Sequence, residues 1–182
     1  MNVHPAALIF PVMSTVEKEN LKNDIKEHGL REPIWTWHQQ IIDGRHRYQC
    51  CVELGIQCAT REWPGPESEI VGFVVSLNKN RRHLNRSQLE MVAAKIANMK
   101  QGHRNLPPNG GIFISQAEAA AQVGVSLRGT QRATVVLKKG PPEMIEAIEE
   151  AKITAIEGAR ILAMVPKPQQ AAAVAKAKAK PK

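Results

Sequence analysis

The spacing of apolar positions changes character about two fifths of the way along the chain. Up to residue 75, helix-like repeats alternate with short apolar runs. Val16, Leu21 and Ile25 recur at helical spacing behind Ser14 or Thr15, either of which can cap a helix, and Gly29 is placed to stop it. Pro33-Ile34-Trp35-Thr36-Trp37 reads as a strand, which His38-Gln39-Gln40 turns into a second short strand at Ile41-Ile42. Asp43-Gly44 is a turn, and Tyr48, Cys51, Val52 and Leu54 predict a helix ending at Gly55. Cys58 to Glu62 is a third strand. Pro64-Gly65-Pro66 breaks the chain, and Glu67-Ser68-Glu69 opens a helix with acids in its first turn. Residues 1–75 therefore read as an α+β domain.

Beyond that point every periodic stretch is helical. Asn85 or Ser87 can begin a helix through Leu89, Val92, Ile96 and Met99. Gly102 to Gly111, with Pro107-Pro108-Asn109-Gly110, is the clearest loop, so residues 76–111 read as basic connecting helices and a loop. Residues 112–165 predict short helices at about 116–122, 127–138, 142–150 and 154–164. The tail, 166–182, repeats Ala and Lys between prolines and is expected to be disordered.

Charge sharpens this division. Residues 1–75 carry 7 Lys and Arg against 10 Asp and Glu, whereas 76–104 carry 7 basic residues against Glu90 alone. Residues 105–165 hold 6 of each sign, and the tail adds 5 lysines, for a total of +8. A basic middle and tail suit a polyanionic partner, because neutralised phosphates release counterions. No run is long enough for a membrane span, and Met1 to Phe10 shows no secretory pattern, so a cytoplasmic protein is expected. Cys50, Cys51 and Cys58 match no zinc spacing and read as reduced thiols.

Residues 115–137 show the pattern of a helix-turn-helix. Ser115 can cap the first helix, with Glu118 completing a capping box. Ala120 is small enough for a tight helix crossing, Gly124 can take the positive φ that ends a helix abruptly, and Val125 would plug the turn. Ser126 then caps a second helix that should pack through Thr130, Ala133 and Leu137. Leu127, Arg128, Gln131 and Arg132 would face outward near its start, where Arg suits guanine and Gln suits adenine. An ordinary helical hairpin with charged outer positions would share the outer charges. Gly129 is the weak point, costing about 1 kcal/mol against Ala in a helix interior. Ser126, Leu127, Arg128, Gln131 and Arg132, together with Arg82 and Arg86 upstream, form the candidate DNA contact set.

The second candidate site is Asp43-Gly44-Arg45-His46-Arg47, a glycine and three basic side chains at a strand-to-helix junction. Backbone N–H groups and the positive helix end can receive an anion there, and Arg47 could grip it with two parallel bonds.

These residues carry a family resemblance. Gly29-Leu30-Arg31-Glu32-Pro33-Ile34, then Ile42-Asp43-Gly44-Arg45-His46-Arg47-Tyr48, and Leu77-Asn78-Lys79-Asn80-Arg81-Arg82-His83-Leu84-Asn85 resemble, in order, three motifs of the ParB partition proteins. The resemblance covers about 30–165, with Ala155 to Met164 similar to the helix the family places after its helix-turn-helix. It implies a ParB-N-like α+β domain followed by an all-α helix-turn-helix domain. It also implies a double-stranded DNA site, a homodimer, a ParA-type ATPase partner, and a CTP site with magnesium. Gly44, Arg47, Asn78 and Arg81 match the family's nucleotide-site positions, Arg45 and His46 lie in the same box, and Asn78 would be the metal ligand. Arg45 stands where the family has Glu, His46 where it has Arg, and Leu77 where it has the acid that supports hydrolysis. The resemblance thus implies nucleotide binding while weighing against hydrolysis. The family's C-terminal dimerisation domain has no counterpart here.

Two competing readings belong to other classes. The turn is also similar to that of sulfiredoxin, so a nucleotide-using or DNA-cleaving enzyme is one, although Arg45 replaces the reactive cysteine. A histone-like binder driven by the basic middle and tail is the other.

Overall fold

In the computed structural model, residues 1–79, 84–99 and 114–179 are described. The loop predicted at 102–111 lies outside them, as do Arg81 and Arg82. The chain divides into two compact units, Met1–Leu77 and Asn78–Lys182.

The first unit is a four-stranded mixed sheet with helices. Strands β1 (Asn2–Val3), β2 (Ile34–Trp37), β3 (Gln40–Asp43) and β4 (Thr60–Glu62) lie in the order β1-β3-β2-β4. β2 and β3 form an antiparallel hairpin, flanked by parallel pairings to β4 and β1. The two-residue turn puts His38 and Gln39 at φ of 45° and 62°, the left-handed conformation that matches the twist of a tight hairpin. Neither residue is a usual choice there. Glu62 of β4 supplies the hold, accepting from the His38 backbone N–H and the Thr36 hydroxyl, both at 2.6 Å.

Helix α1 (Thr15–His28) is capped by Ser14, one of the two caps expected, and Glu17 completes a capping box with it. Ile25 of α1 packs with Cys50 and Cys51 of α2 (Arg45–Leu54), and Leu21 joins that cluster. Val16 does not: it is 70% exposed, because the apolar stripe of α1 starts one turn later. α3 (Glu67–Lys79) buries Ile70, Val74 and Val75.

The second unit is helical. α4 (Arg86–Asn98), capped by Asn85 with Gln88, buries Met91, Val92, Ala93, Ala94 and Ile96, and packs against α5 (Gln116–Val123) and α6 (Leu127–Lys139). α7 (Pro142–Glu149) and α8 (Ala155–Met164) close the far side. The N-terminus of α4 ties them in: Gln88 Nε2 donates to the Glu149 carbonyl at 2.6 Å, and Ser87 Oγ accepts from the Ala155 N–H at 3.1 Å.

The tail differs from the sequence expectation. Instead of disorder, residues 167–169 form a 3-10 turn and Gln170–Lys178 form α9, which packs on α7 and α8. Val174 is its anchor, 1% exposed and clustered with Met144, Ile148 and Ala133. Alanine favours helix strongly, and Val174 together with the buried Gln170, whose Nε2 donates to the Val165 carbonyl at 3.0 Å, docks a stretch whose composition alone looked formless.

Candidate functional site

α5 and α6 meet at an abrupt turn. Ser115 caps α5 through Glu118, with the Ser115 N–H donating to Glu118 Oε2 at 2.7 Å. Gly124 ends α5 at φ 81°, and the Val125 N–H bonds back to the Ala120 carbonyl at 2.9 Å. Ser126 then caps α6, its Oγ accepting from the Gly129 N–H at 3.1 Å. Ala120 is buried, as a close crossing requires, and Gln116 Nε2 bridges to Thr134 Oγ1 at 3.2 Å.

α6 packs through Gly129, Thr130, Ala133, Thr134 and Val136, while Leu137 is half-buried. The Thr130 and Thr134 hydroxyls bond the preceding turn's carbonyls at 3.2 and 2.9 Å, which lets polar residues sit inside. Leu127, Arg128 and Gln131 are exposed. Neither Arg128 nor Gln131 has a side-chain hydrogen bond or ion pair among the described residues. Arg132 is different. The sequence pattern turned it outward, but its side chain is only 30% exposed and Nη2 points to Glu90 Oε1 at 3.4 Å. Arg86, 74% exposed, shares the same oxygen through Nε at 3.4 Å.

The sequence reading missed Glu90 and the purpose of Gly129. A Cβ at 129 would overlap Glu90 Oε1, so the helix carries glycine where the neighbouring helix delivers a carboxylate. The two residues are far apart in sequence, and only their shared oddity, a lone acid in a basic stretch and a glycine inside a helix, could have linked them.

At the other site, Gly44 takes φ 91° at the start of α2 and supplies no side-chain cap. A Cβ there would meet Arg47 Nη2 at 2.8 Å and Ile34 Cδ1 at 3.1 Å, so only glycine fits. The basic side chains are spoken for within the first unit. Arg45 Nη2 donates to the Phe10 and Pro11 carbonyls at 3.0 and 3.2 Å. His46 is buried, and its Nε2 accepts from the Met13 N–H at 3.4 Å. Arg47 places Nη1 2.7 Å from Glu32 and Nη2 2.9 Å from Asp43, while its buried Nε has no partner. The orphaned Nε and the uncapped helix start fit an anion, with Glu32, 51% exposed, holding the outer face of Arg47.

Asn78 is half-buried in the last turn of α3 beside Leu77. That pair offers one amide oxygen and no carboxylate, and among the described residues no group of three or more His, Cys, Asp or Glu could hold a metal. The donor set does not fit a magnesium site, which calls for hard oxygen ligands. Among the described residues, no helix is long and apolar enough to cross a membrane. The Cys51 thiol is pushed up to about 11, first by burial and then by its contact with Cys58, so it is not a nucleophile at neutral pH.

No protein-family model matches this sequence, and no curated protein does. Solved structures do match. A Pnob8-like ParB-N domain aligns with a TM-score of 0.50 and 18% identity over 88% of this chain and 74% of that one. The fold is ParB-N-like. Two structures of C-terminally truncated chromosome-partitioning ParB from Caulobacter crescentus also align with this ParB-like chain. One is complexed with CTP-gamma-S (TM-score 0.36, 18% identity, 91% of this chain and 88% of that one). The other is complexed to the centromeric parS site (TM-score 0.44, 17% identity, 92% and 88%). The resemblance read from the Gly44 turn and the two flanking motifs thus agrees with the ParB-like fold.

Proposed function

We propose that this chain is a DNA-binding protein of ParB type, which places the start of α6 in the major groove of a specific duplex site for partition or regulation. In this reading α5 and α6 are a helix-turn-helix, Arg128 and Gln131 read base edges, and Ser126 and Leu127 lie at the leading end. Arg82 meets phosphates, while Arg86 and Arg132 share the Glu90 carboxylate. An inverted-repeat target calls for two copies, hence a homodimer, and a cytoplasmic location with a ParA-type ATPase partner completes the reading. The single observation that carries it is the pair of exposed side chains, Arg128 and Gln131, without a side-chain partner among the described residues, on a helix that follows a capped, abrupt turn.

The Gly44 turn is proposed to receive a nucleotide phosphate, CTP in the ParB manner, on the α2 start and Arg47, with Arg45 and His46 shaping the turn. Asn78 and Arg81 match the family's nucleotide-site positions by resemblance alone. When bound, the triphosphate would bring negative charge to a turn whose arginine is now held by carboxylates. Glu32 would leave Arg47 Nη1, while Asp43 keeps Nη2 oriented.

Selection of bound duplexes from a random pool, followed by titration, tests the main claim. Arg128→Ala with Gln131→Ala should weaken the selected site by on the order of a hundredfold, since each good base contact is worth about 1–3 kcal/mol, and should leave random duplex almost unaffected. Intact selection in that variant would remove the recognition helix from the account. Calorimetry with CTP, ATP, GTP and UTP tests the turn. Binding of CTP that Arg47→Ala abolishes supports it, and no heat with any triphosphate rejects it.

A further inference from the structure

Residues 76–104 contain seven Lys and Arg and one acid, Glu90. Free on the surface, that acid would merely dilute the positive field. Instead its side chain is 3% exposed, with Oε1 shared between Arg86 and Arg132. Two local rules are broken to put it there. A carboxylate leaves water, and the facing helix carries a glycine in its interior. Such paired violations mark a functional device more often than an accident of packing.

Arg132 follows Arg128 by one helical turn, so it borders the face that would read bases. Its Nη2 is turned to Glu90, and its Nε is sealed from solvent without an acceptor. Released from Glu90, this guanidinium and that of Arg86 would be strong ligands for any phosphate backbone, whatever its sequence. Attraction of that kind raises affinity for every duplex alike, whereas base contacts favour one site. Discrimination is the difference between the two, so withholding charge improves it.

We propose that Glu90 is a specificity-determining positioning residue: its buried carboxylate holds Arg132 and Arg86 back from the DNA backbone and leaves Arg128 and Gln131 to choose the site. This rests on α6 being the DNA-reading helix. Glu90 touches no base or phosphate itself and acts through the two arginines.

The test is Glu90→Gln, which keeps the shape opposite Gly129 and removes the charge. Two probes are titrated across a salt series: a random-sequence duplex pool, and the duplex the unaltered protein selects from that pool. Non-specific affinity should rise by on the order of tenfold at low salt, and the slope of log affinity against log salt should steepen by roughly one to two. The ratio of specific to non-specific binding should fall by a similar factor. An unchanged slope and an unchanged non-specific affinity would overturn the proposal. Glu90→Ala with Gly129→Ala removes the carboxylate while refilling the space, and should give the same salt signature. If neither variant melts cooperatively, Glu90 is a structural residue and the proposal falls. Unaltered protein that binds no duplex at low salt would sink the DNA reading itself. Unaltered protein that binds, with Glu90→Gln identical to it, sinks the role of Glu90 alone.

Discussion

Arg47 in the first unit and Arg132 in the second both face carboxylates, and the contrast between them separates contact length from commitment. Arg47 makes the shorter contacts, 2.7 Å to Glu32 and 2.9 Å to Asp43. Arg132 stands 3.4 Å from Glu90. Distance alone would rank the first pairing as the tighter. Burial reverses the order of exchangeability, because Glu32 is 51% exposed and can return to water at little cost, whereas Glu90 is 3% exposed and has nowhere to go. Asp43, at 11%, lies between them. The outer carboxylate of Arg47 is therefore the more readily exchanged partner, and that of Arg132 the less.

The sharpest way to break this contrast is Asp43→Ala. Removing the inner partner leaves Arg47 partly buried and half-satisfied, so the first unit should lose about 2–4 kcal/mol, read as a shift in the urea midpoint. A loss no larger than that of Glu32→Ala would show that burial does not rank these pairs. Next in size, Gly129→Ala should destabilise the second unit by about 1–2 kcal/mol despite better helix propensity, because the new methyl collides with Glu90. Adding Glu90→Ala to it should recover much of that loss in thermal melts, and a purely additive pair would deny the coupling. Glu32→Ala should change stability by less than about 1 kcal/mol. It should also tighten inorganic phosphate or triphosphate binding severalfold by calorimetry, and weaker binding would mean that Glu32 helps hold the anion. The smallest effect concerns a pair at the surface. Hydrogen bonds from Lys18 first and Lys22 next hold the Glu53 carboxyl at about 2, below its ordinary 4.5. A depressed carboxyl stabilises the fold above pH 4.5 and loses that contribution as pH falls towards 2. Acid titration of stability should show a slope in that window that Glu53→Gln flattens.

What could be read from the sequence is local chemistry. The cap at Ser14, the Ser115 capping box, the turn at Gly44, the positive φ of Gly124 and the cap at Ser126 all depend on neighbours within four residues, and all are present. The two central strands, β2 and β3, were visible from their apolar runs, and the edge strand β4 fell within the stretch read as Cys58 to Glu62. β1 was not, because two residues, Asn2 and Val3, carry no pattern and acquire strand character only by pairing with Gln40 and Ile41. At the Gly44 turn the sequence placed three basic side chains together but could not show that carbonyls, a backbone N–H and two acids hold them. On α6 a helical wheel puts Arg132 outside. Its diversion needs Glu90 from another helix, and single-helix periodicity does not carry that information. The ParB-like reading succeeded because its motifs are runs of adjacent residues.

The docked C-terminal helix has a consequence for any attempt to weigh the lysine tail. Val174 covers the same apolar cluster that Met144 and Ile148 line, so cutting the chain before it would strip cohesion from the second unit along with the charge. A shortened protein that bound DNA poorly would then say nothing about its lysines. Exchanging all five tail lysines, Lys167, Lys176, Lys178, Lys180 and Lys182, for glutamine discharges the tail while its keel stays seated.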